Sequence, residues 1–404
     1  MTSKQNFFRN VRRFAAALSV AAITLTAAAQ ESPAPVFIGL DAEFGLVNST
    51  SAQSIERGIA VAIAEINSAG GVLGGRPLVL IPRDNRSVPA RGIANLRDFA
   101  ARQDLVAVFG GRYSPVLMEQ RPVVEELGLI LLAVWSSADG IIDNGMTPNW
   151  IFRLSLRDSL AMPAMLDHLA GRGIDRVGLL LANTSWGRSN LAAAERHLSG
   201  RARPSIAGTE WYNWGDQTII DHYENLIAAG AEAVVFVAND VEGAIMVREM
   251  AQLPAAAQVP IVSHWGVTGG AFVQQAGPAL QQIDFTVIQT FSFFRADPEI
   301  ANRVLDGARR LFGISRFEDI ESPVGMAHAY DMTHILARAI DLAGTTDRAA
   351  VRDALEQVRD YRGLIRHYDR PFAPDDHEAL GPDEVILARY DARGVIRPLP
   401  GNGP

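Results

Sequence analysis

A serine precedes a proline at Ser114-Pro115, four residues beyond an apolar run that ends at Gly110. The pair reads as a helix N-cap followed by a first-turn proline. Such a cap leaves a hydroxyl and the first free N–H groups of the helix at the end of a strand, a ready place for a carboxylate. An ordinary cap that only starts the helix is the competing reading, and the position at a strand end brings the two level. Ser136 and Ser137 repeat the arrangement more weakly after the next apolar run. Trp135, Trp186 and Trp265 fall in loops of the same kind, where aromatic rings can stack on a ligand and exclude water. Singly, each packs as readily at the edge of a lobe; three together argue for the lining of a cleft. Arg112, Tyr113, Glu43, Asn239 and Asp240 complete the polar and aromatic set, with Arg112 either pairing with an anionic group or solvated.

A catalytic constellation is not visible among these residues. The chain has no G-x-S-x-G elbow and no H-E-x-x-H, and its eight histidines show no metal spacing beside acids. The absence of cysteine excludes disulfides, thiolate metal sites and a cysteine nucleophile. Lys4 is the single lysine. If it lies in a removed segment, a P-loop, a pyridoxal Schiff base and a lysine general base go with it. No cofactor or metal is expected.

Lys4 does fall in such a segment. Residues 1–29 carry Lys4, Arg9, Arg12 and Arg13 and no acid, then an apolar run from Phe14 ending in Ala27-Ala28-Ala29. That is the pattern of a secretory signal, and the run is too short and alanine-rich for a membrane anchor. Arg12-Arg13-Phe14 only faintly resembles a twin-arginine signal, and without a cysteine no lipid anchor can be attached. Removing the four basic residues takes the formal charge of the 404-residue chain from −8 to −12. An acidic surface without long charge runs argues against nucleic acid and anionic membranes as partners. The expectation is an exported, soluble, periplasmic chain.

The elements that must hold the loops alternate regularly. Apolar runs at Val36–Asp41, Pro77–Arg83, Leu105–Gly110 and Leu129–Val134 read as strands, separated by helical patterns at Ser51–Ser68, Pro89–Arg102 and from Ser114. The glycine run Gly70-Gly71-Val72-Leu73-Gly74-Gly75 follows a helix, so it is a helix stop and turn and not a dinucleotide loop. A second series begins near Ser155, with strands at Arg176–Leu181, Ser205–Trp211, Ala233–Ala238, Pro260–Ser263 and Phe285–Thr290 between helices at Leu160–Arg172, Trp186–Leu198, Gln217–Ala229 and Val241–Leu253. Helices follow near Pro298–Phe312, Pro323–Ala343 and Arg348–Arg359, then short strands at Val385–Tyr390 and Val395–Arg397. Continuous apolar strands between helices predict two α/β lobes with parallel sheets covered on both faces.

The segment Glu65-Ile66-Asn67-Ser68-Ala69-Gly70-Gly71-Val72-Leu73-Gly74-Gly75-Arg76-Pro77-Leu78 resembles the "EINAAGGVLGGRxL" stretch of the leucine/isoleucine/valine-binding family, the periplasmic receptors of branched-chain amino-acid and amide ABC importers. Arg83-Asp84-Asn85-Arg86-Ser87-Val88-Pro89 is similar to its "DDxSDP", and Phe109-Gly110-Gly111 precedes the serine loop as in that family. Tyr330-Asp331, Thr345-Thr346-Asp347-Arg348 and Val351-Arg352-Asp353-Ala354-Leu355 resemble its C-terminal "YDA…GSTDREAVRDAL". The likeness runs from about Val36 to Tyr390.

The resemblance implies a type I periplasmic-binding fold of two Rossmann-like lobes joined by three crossovers. An N-terminal lobe would comprise 35–153 plus 291–365 and a C-terminal lobe 154–290 plus 366–404. It places Ser114 where the family binds a ligand carboxylate, Ser136 or Ser137 beside it, Trp186 where a tyrosine often closes over the ligand, and Asn239 or Asp240 near the amino group. One position departs: the acid that often pairs with the ammonium falls at Trp265, which cannot neutralise a charge. Either Asp240 or Glu43 substitutes, or the ligand is an aromatic or other acid without an amine. The implied partners are a small carboxylate-bearing solute (amino acid, amide or organic acid) and an ABC permease in the inner membrane, served by a monomer with no membrane anchor. A sensing module of the same fold that signals to a membrane receptor is the alternative, and an exported enzyme on an α/β scaffold a third.

Overall fold

The structure, a computed structural model, describes residues 33–47 and 49–400. The expected signal at 1–29 lies outside these residues. Within them no helix is long and apolar enough to cross a membrane.

The first half of the chain runs β1 (Val36–Ala42), α1 (Thr50–Ser68), β2 (Leu78–Asp84), α2 (Pro89–Ala100), β3 (Leu105–Gly110), α3 (Ser114–Leu127), β4 (Ile130–Ala133) and β5 (Ile151–Arg153). These five strands form one all-parallel sheet in the order β2-β1-β3-β4-β5. Every residue of β3 and β4 is buried, as expected of strands covered on both faces.

The chain then passes into α4 (Asp158–Gly171), β6 (Arg176–Ala182), α5 (Ser185–Leu198), β7 (Ser205–Tyr212), α6 (Ile220–Ala228), β8 (Ala233–Val237), α7 (Asp240–Met250), β9 (Ile261–Ser263), the short α8 (Phe272–Ala276) and β10 (Phe285–Gln289). It returns through α9 (Pro298–Phe312), α10 (Pro323–Ala343) and α11 (Arg348–Leu355), and adds a small hairpin of β11 (Tyr361–Arg362) and β12 (His367–Tyr368). A last pass forms β13 (Ile386–Tyr390) and β14 (Ile396–Pro398). The second sheet has the order β14-β13-β10-β9-β8-β6-β7, all parallel except β13, which runs antiparallel to both its neighbours β10 and β14. The chain therefore changes sheets three times, which is the connectivity of a type I periplasmic-binding fold.

The late helices rejoin the first sheet through α1. Ile55 and Ile59 are fully buried, and Gly58 lies so close to α10 that a Cβ there would sit 2.2 Å from the Met326 carbonyl. The glycine run after α1 is a tight turn: Gly70, Gly71, Gly74 and Gly75 all have positive φ, and Asp341 of α10 accepts a hydrogen bond from the Leu73 N–H at 2.7 Å. Two extents differ from the sequence reading. The helix expected over Arg348–Arg359 stops at Leu355, and the chain turns through Asp360 at φ 52° into the hairpin. The three-residue β5 and two-residue β11 and β12 lack a pattern long enough to announce a strand.

Candidate functional site

The loops at the carboxyl ends of both sheets face one another across a narrow cavity of about 10 Å³, room for about one water, which a bound solute must widen by parting the loops. Arg112, Tyr113, Ser114, Trp135 and Ser137 line it from the first sheet. Trp186, Trp214, Asn239, Trp265 and Gly266 line it from the second. Parallel strands put their loops here because ligands of open α/β sheets bind beyond the carboxyl ends. Four of the six tryptophans of the chain meet at this one cavity.

Seven of the expected site residues (Arg112, Tyr113, Ser114, Ser137, Trp186, Asn239 and Trp265) line the cavity. Glu43, Ser136 and Asp240 do not; they stand behind it and hold the lining. Ser136 donates its hydroxyl to the Gly111 carbonyl at 2.8 Å, tying the β3 and β4 loops together. Glu43 accepts from Ser51 Oγ at 2.6 Å and from the Arg112 N–H at 3.2 Å. Asp240, at the start of α7, accepts from Arg112 Nη1 at 3.0 Å across the cleft.

Ser114 corrects the local reading. Tyr113 occupies the cap position and Ser114 is the first helical residue. Its oxygen accepts from the backbone N–H groups of Ser137 and Ala138 at 3.1 and 3.2 Å, so it secures the β4 loop instead of capping its own helix. A hydroxyl that accepts twice still has its proton to donate.

Arg112 is buried among Asp240, Tyr113 and Glu43, with Nη2 donating to the Tyr113 hydroxyl at 2.6 Å and the guanidinium 4.7 Å from that ring. Burial alone would lower its pKa. Tyr113, Asp240 and Glu43 outweigh burial, holding it charged and above the usual arginine range. Its Nε–H has no partner, and neither has the Trp135 indole N–H. Unpaired buried donors cost about 1–3 kcal/mol each, so the Trp135 N–H favours an acceptor arriving in the cavity, while the Arg112 Nε–H lies nearest Glu43 Oε1, 4.0 Å away behind the lining.

The aromatic walls are held from behind. Trp135 and Trp265, each 1% exposed, pack at a centroid distance of 5.7 Å. Gly325 of α10 makes room for Trp135, since a Cβ there would lie 2.8 Å from its ring. The Trp186 indole N–H donates to Asp158 Oδ1 at 3.3 Å. His264 Nε2 reaches the same oxygen at 3.2 Å, and because a carboxylate only accepts, Nε2 carries the proton. His328 lies against Trp265, donating Nδ1–H to the Val134 carbonyl at 2.9 Å and facing Thr290 Oγ1 at 2.8 Å. Burial pushes the His328 pKa down to about 4, so the ring is neutral.

Trp214 stands two residues past β7 and packs edge-on against Tyr113 at 5.2 Å. Its signal was a tryptophan in one more strand-end loop. The Asp158–His264 pair spans 106 residues and leaves no mark in local sequence. Among the described residues no group of three His, Asp or Glu side chains is placed to hold a metal.

Two lobes that enclose a small aromatic cavity between strand ends define a solute-binding protein. The chain belongs to the periplasmic binding protein family, whose sequence profile matches residues 35–394. A Brucella suis protein described as Leu/Ile/Val-binding protein homolog 1 is 23% identical over 339 residues, covering 82% of this chain and 85% of the relative. The periplasmic binding protein type 1 of Bordetella pertussis Tohama I superposes with a TM-score of 0.80 at 21% identity, over 91% of this chain and all of that one. A solute-binding protein of an R. palustris ABC transporter, solved with benzoate, superposes at 0.75 with 15% identity, over 90% and 95% of the two chains.

Proposed function

We propose that the chain is the solute receptor of an ABC importer, working in the periplasm and capturing a small aromatic carboxylate by closure of its lobes. We take the lobes to be those implied at the outset, 35–153 plus 291–365 and 154–290 plus 366–404, except that the stretch 367–379, which bonds to α10 and β5, goes with the first. One observation carries the ligand class: the unpartnered N–H of Trp135, the proton Ser114 has left to donate and the buried Arg112 cation line a cavity walled by four tryptophans. Donors suit a carboxylate, and indole rings suit a flat apolar body. Benzoate in the R. palustris structure is a ligand of that chemistry.

An aliphatic amino acid fits less well. The position of the family's acid is Trp265, and the two acids that could replace it, Asp240 and Glu43, hold Arg112 and do not line the cavity. The name of the Brucella relative nevertheless points to branched-chain amino acids, and Asp158 offers one unpartnered oxygen behind Trp186. An ammonium could reach it only by displacing that indole.

Closure moves polar side chains out of water only when the lobes meet, so affinity includes the cost of reaching the closed form. A thermal-shift screen of aromatic acids, aliphatic acids, amides and amino acids tests the reading, since a bound ligand raises the melting temperature. Benzoate-like acids are expected to stabilise the chain, and Ser114→Ala to weaken their binding by about 1–3 kcal/mol. No shift with any small acid or amino acid would refute the receptor as described.

A further inference from the structure

A second and larger cavity, of about 400 Å³, lies on the other side of the turn Trp265–Gly269 and shares no lining residue with the tryptophan cavity. Trp265 and Gly266 face the first; Val267 and Thr268 face the second. Its far walls come from the segment after β10, the approach to α10, and the strands β13 and β14.

The lining is aromatic and selective. Phe291 and Phe293 meet edge-on at 4.8 Å, and Phe293 stacks on Phe317 at 5.2 Å with 12° between the planes. Among these rings sits Gln289, 1% exposed, whose Oε1 has no partner. Its Nε2 donates to the Ile288 carbonyl at 2.7 Å, which settles the orientation of the amide: the terminal atom left over is the oxygen. A buried acceptor wants an N–H or O–H. At the rim Glu318 and Asp319 are paired with Arg316, Arg393 and Arg397 beside Glu321, a near balance of charge that favours a neutral ligand.

We propose that this cavity is a second ligand site, for a neutral aromatic molecule carrying a hydroxyl or amide N–H donor. It is chemically the opposite of the carboxylate cleft. Its walls also belong to the moving joint. Ser322, strained at φ 50°, donates Oγ–H to the Thr268 carbonyl at 2.6 Å, and Thr50 Oγ1 lies 2.6 Å from the same hydroxyl. A ligand filling this space therefore favours one lobe arrangement, and occupancy of either cavity changes the affinity of the other by the same factor.

The test is titration of the full chain with 4-ethylphenol, followed by saturation-transfer NMR, beside its methyl ether, which lacks the donor. Saturable binding of the phenol is expected, with the ether roughly tenfold weaker. Gln289→Leu should erase that difference, and Ile396→Trp, which pushes a large ring into the cavity, should weaken both. Absence of saturable binding would overturn the proposal. So would simple displacement by benzoate together with indifference to Ile396→Trp, which would put the phenol in the cleft.

Discussion

Arg112 and Arg153 are both buried at the cleft end of the first sheet, yet they are bonded to different degrees. Arg153, wholly inaccessible, is paired through Nε and Nη2 with Glu378 and donates Nη1 to the Ala138 carbonyl at 2.9 Å. Both Glu378 and its neighbours run beside β5, where backbone bonds join Arg153 to His377 and Ala379. Arg112 instead spends one nitrogen on Asp240 from the opposite sheet, one on Tyr113, and leaves Nε–H unpaired with Glu43 4.0 Å away. A saturated buried cation is a fixture of the fold. An unsaturated one, whose counter-charge belongs to the other lobe, has bonds to make and break.

That contrast can be broken in order of size. Glu378→Ala strips Arg153 of its counter-charge inside the fold and should cost about 3–5 kcal/mol in urea unfolding. His328 follows the same rule of full satisfaction. Its pKa of about 4 lies below the ordinary 6.5, so the unfolded chain binds the proton more readily. Its contribution is complete above pH 6.5 and falls away as pH drops towards 4. At about 1.4 kcal/mol per pH unit the loss is on the order of 3 kcal/mol, read as the difference between the chain and His328→Gln.

Asp240→Ala should behave differently from Glu378→Ala. Opening the lobes lets Arg112 hydrate, so unfolding stability should change little, while affinity for the cleft ligand drops by about 5–150-fold as closure loses its latch. Equal losses of stability in the two variants would erase the distinction. The smallest effect belongs to an exposed pair, Arg97 with Glu126 at 2.8 Å, where Arg97→Ala should cost less than about 1 kcal/mol.

Much of this was readable in the chain. Apolar strands of ordinary length declared two parallel sheets, and the loops after them held Arg112, Ser114, Trp135, Ser137, Trp186, Asn239 and Trp265. What local sequence does not carry is which side chain each polar group finds. Ser114 bonds to a loop 23 residues on, not to its own helix. Asp240 and Glu43 sit in the expected loops but turn to Arg112, and Asp158 meets His264 only after the second sheet is assembled. The second cavity is the extreme case: its walls gather residues from Thr50 to Pro398.

The central claim, that the tryptophan cavity takes an aromatic carboxylate, is tested most directly by calorimetric titration of benzoate and of leucine into the same chain. Saturable heat with benzoate, lost in Trp265→Ala and absent with leucine, is the expected result. Saturable heat with leucine and none with benzoate would contradict it.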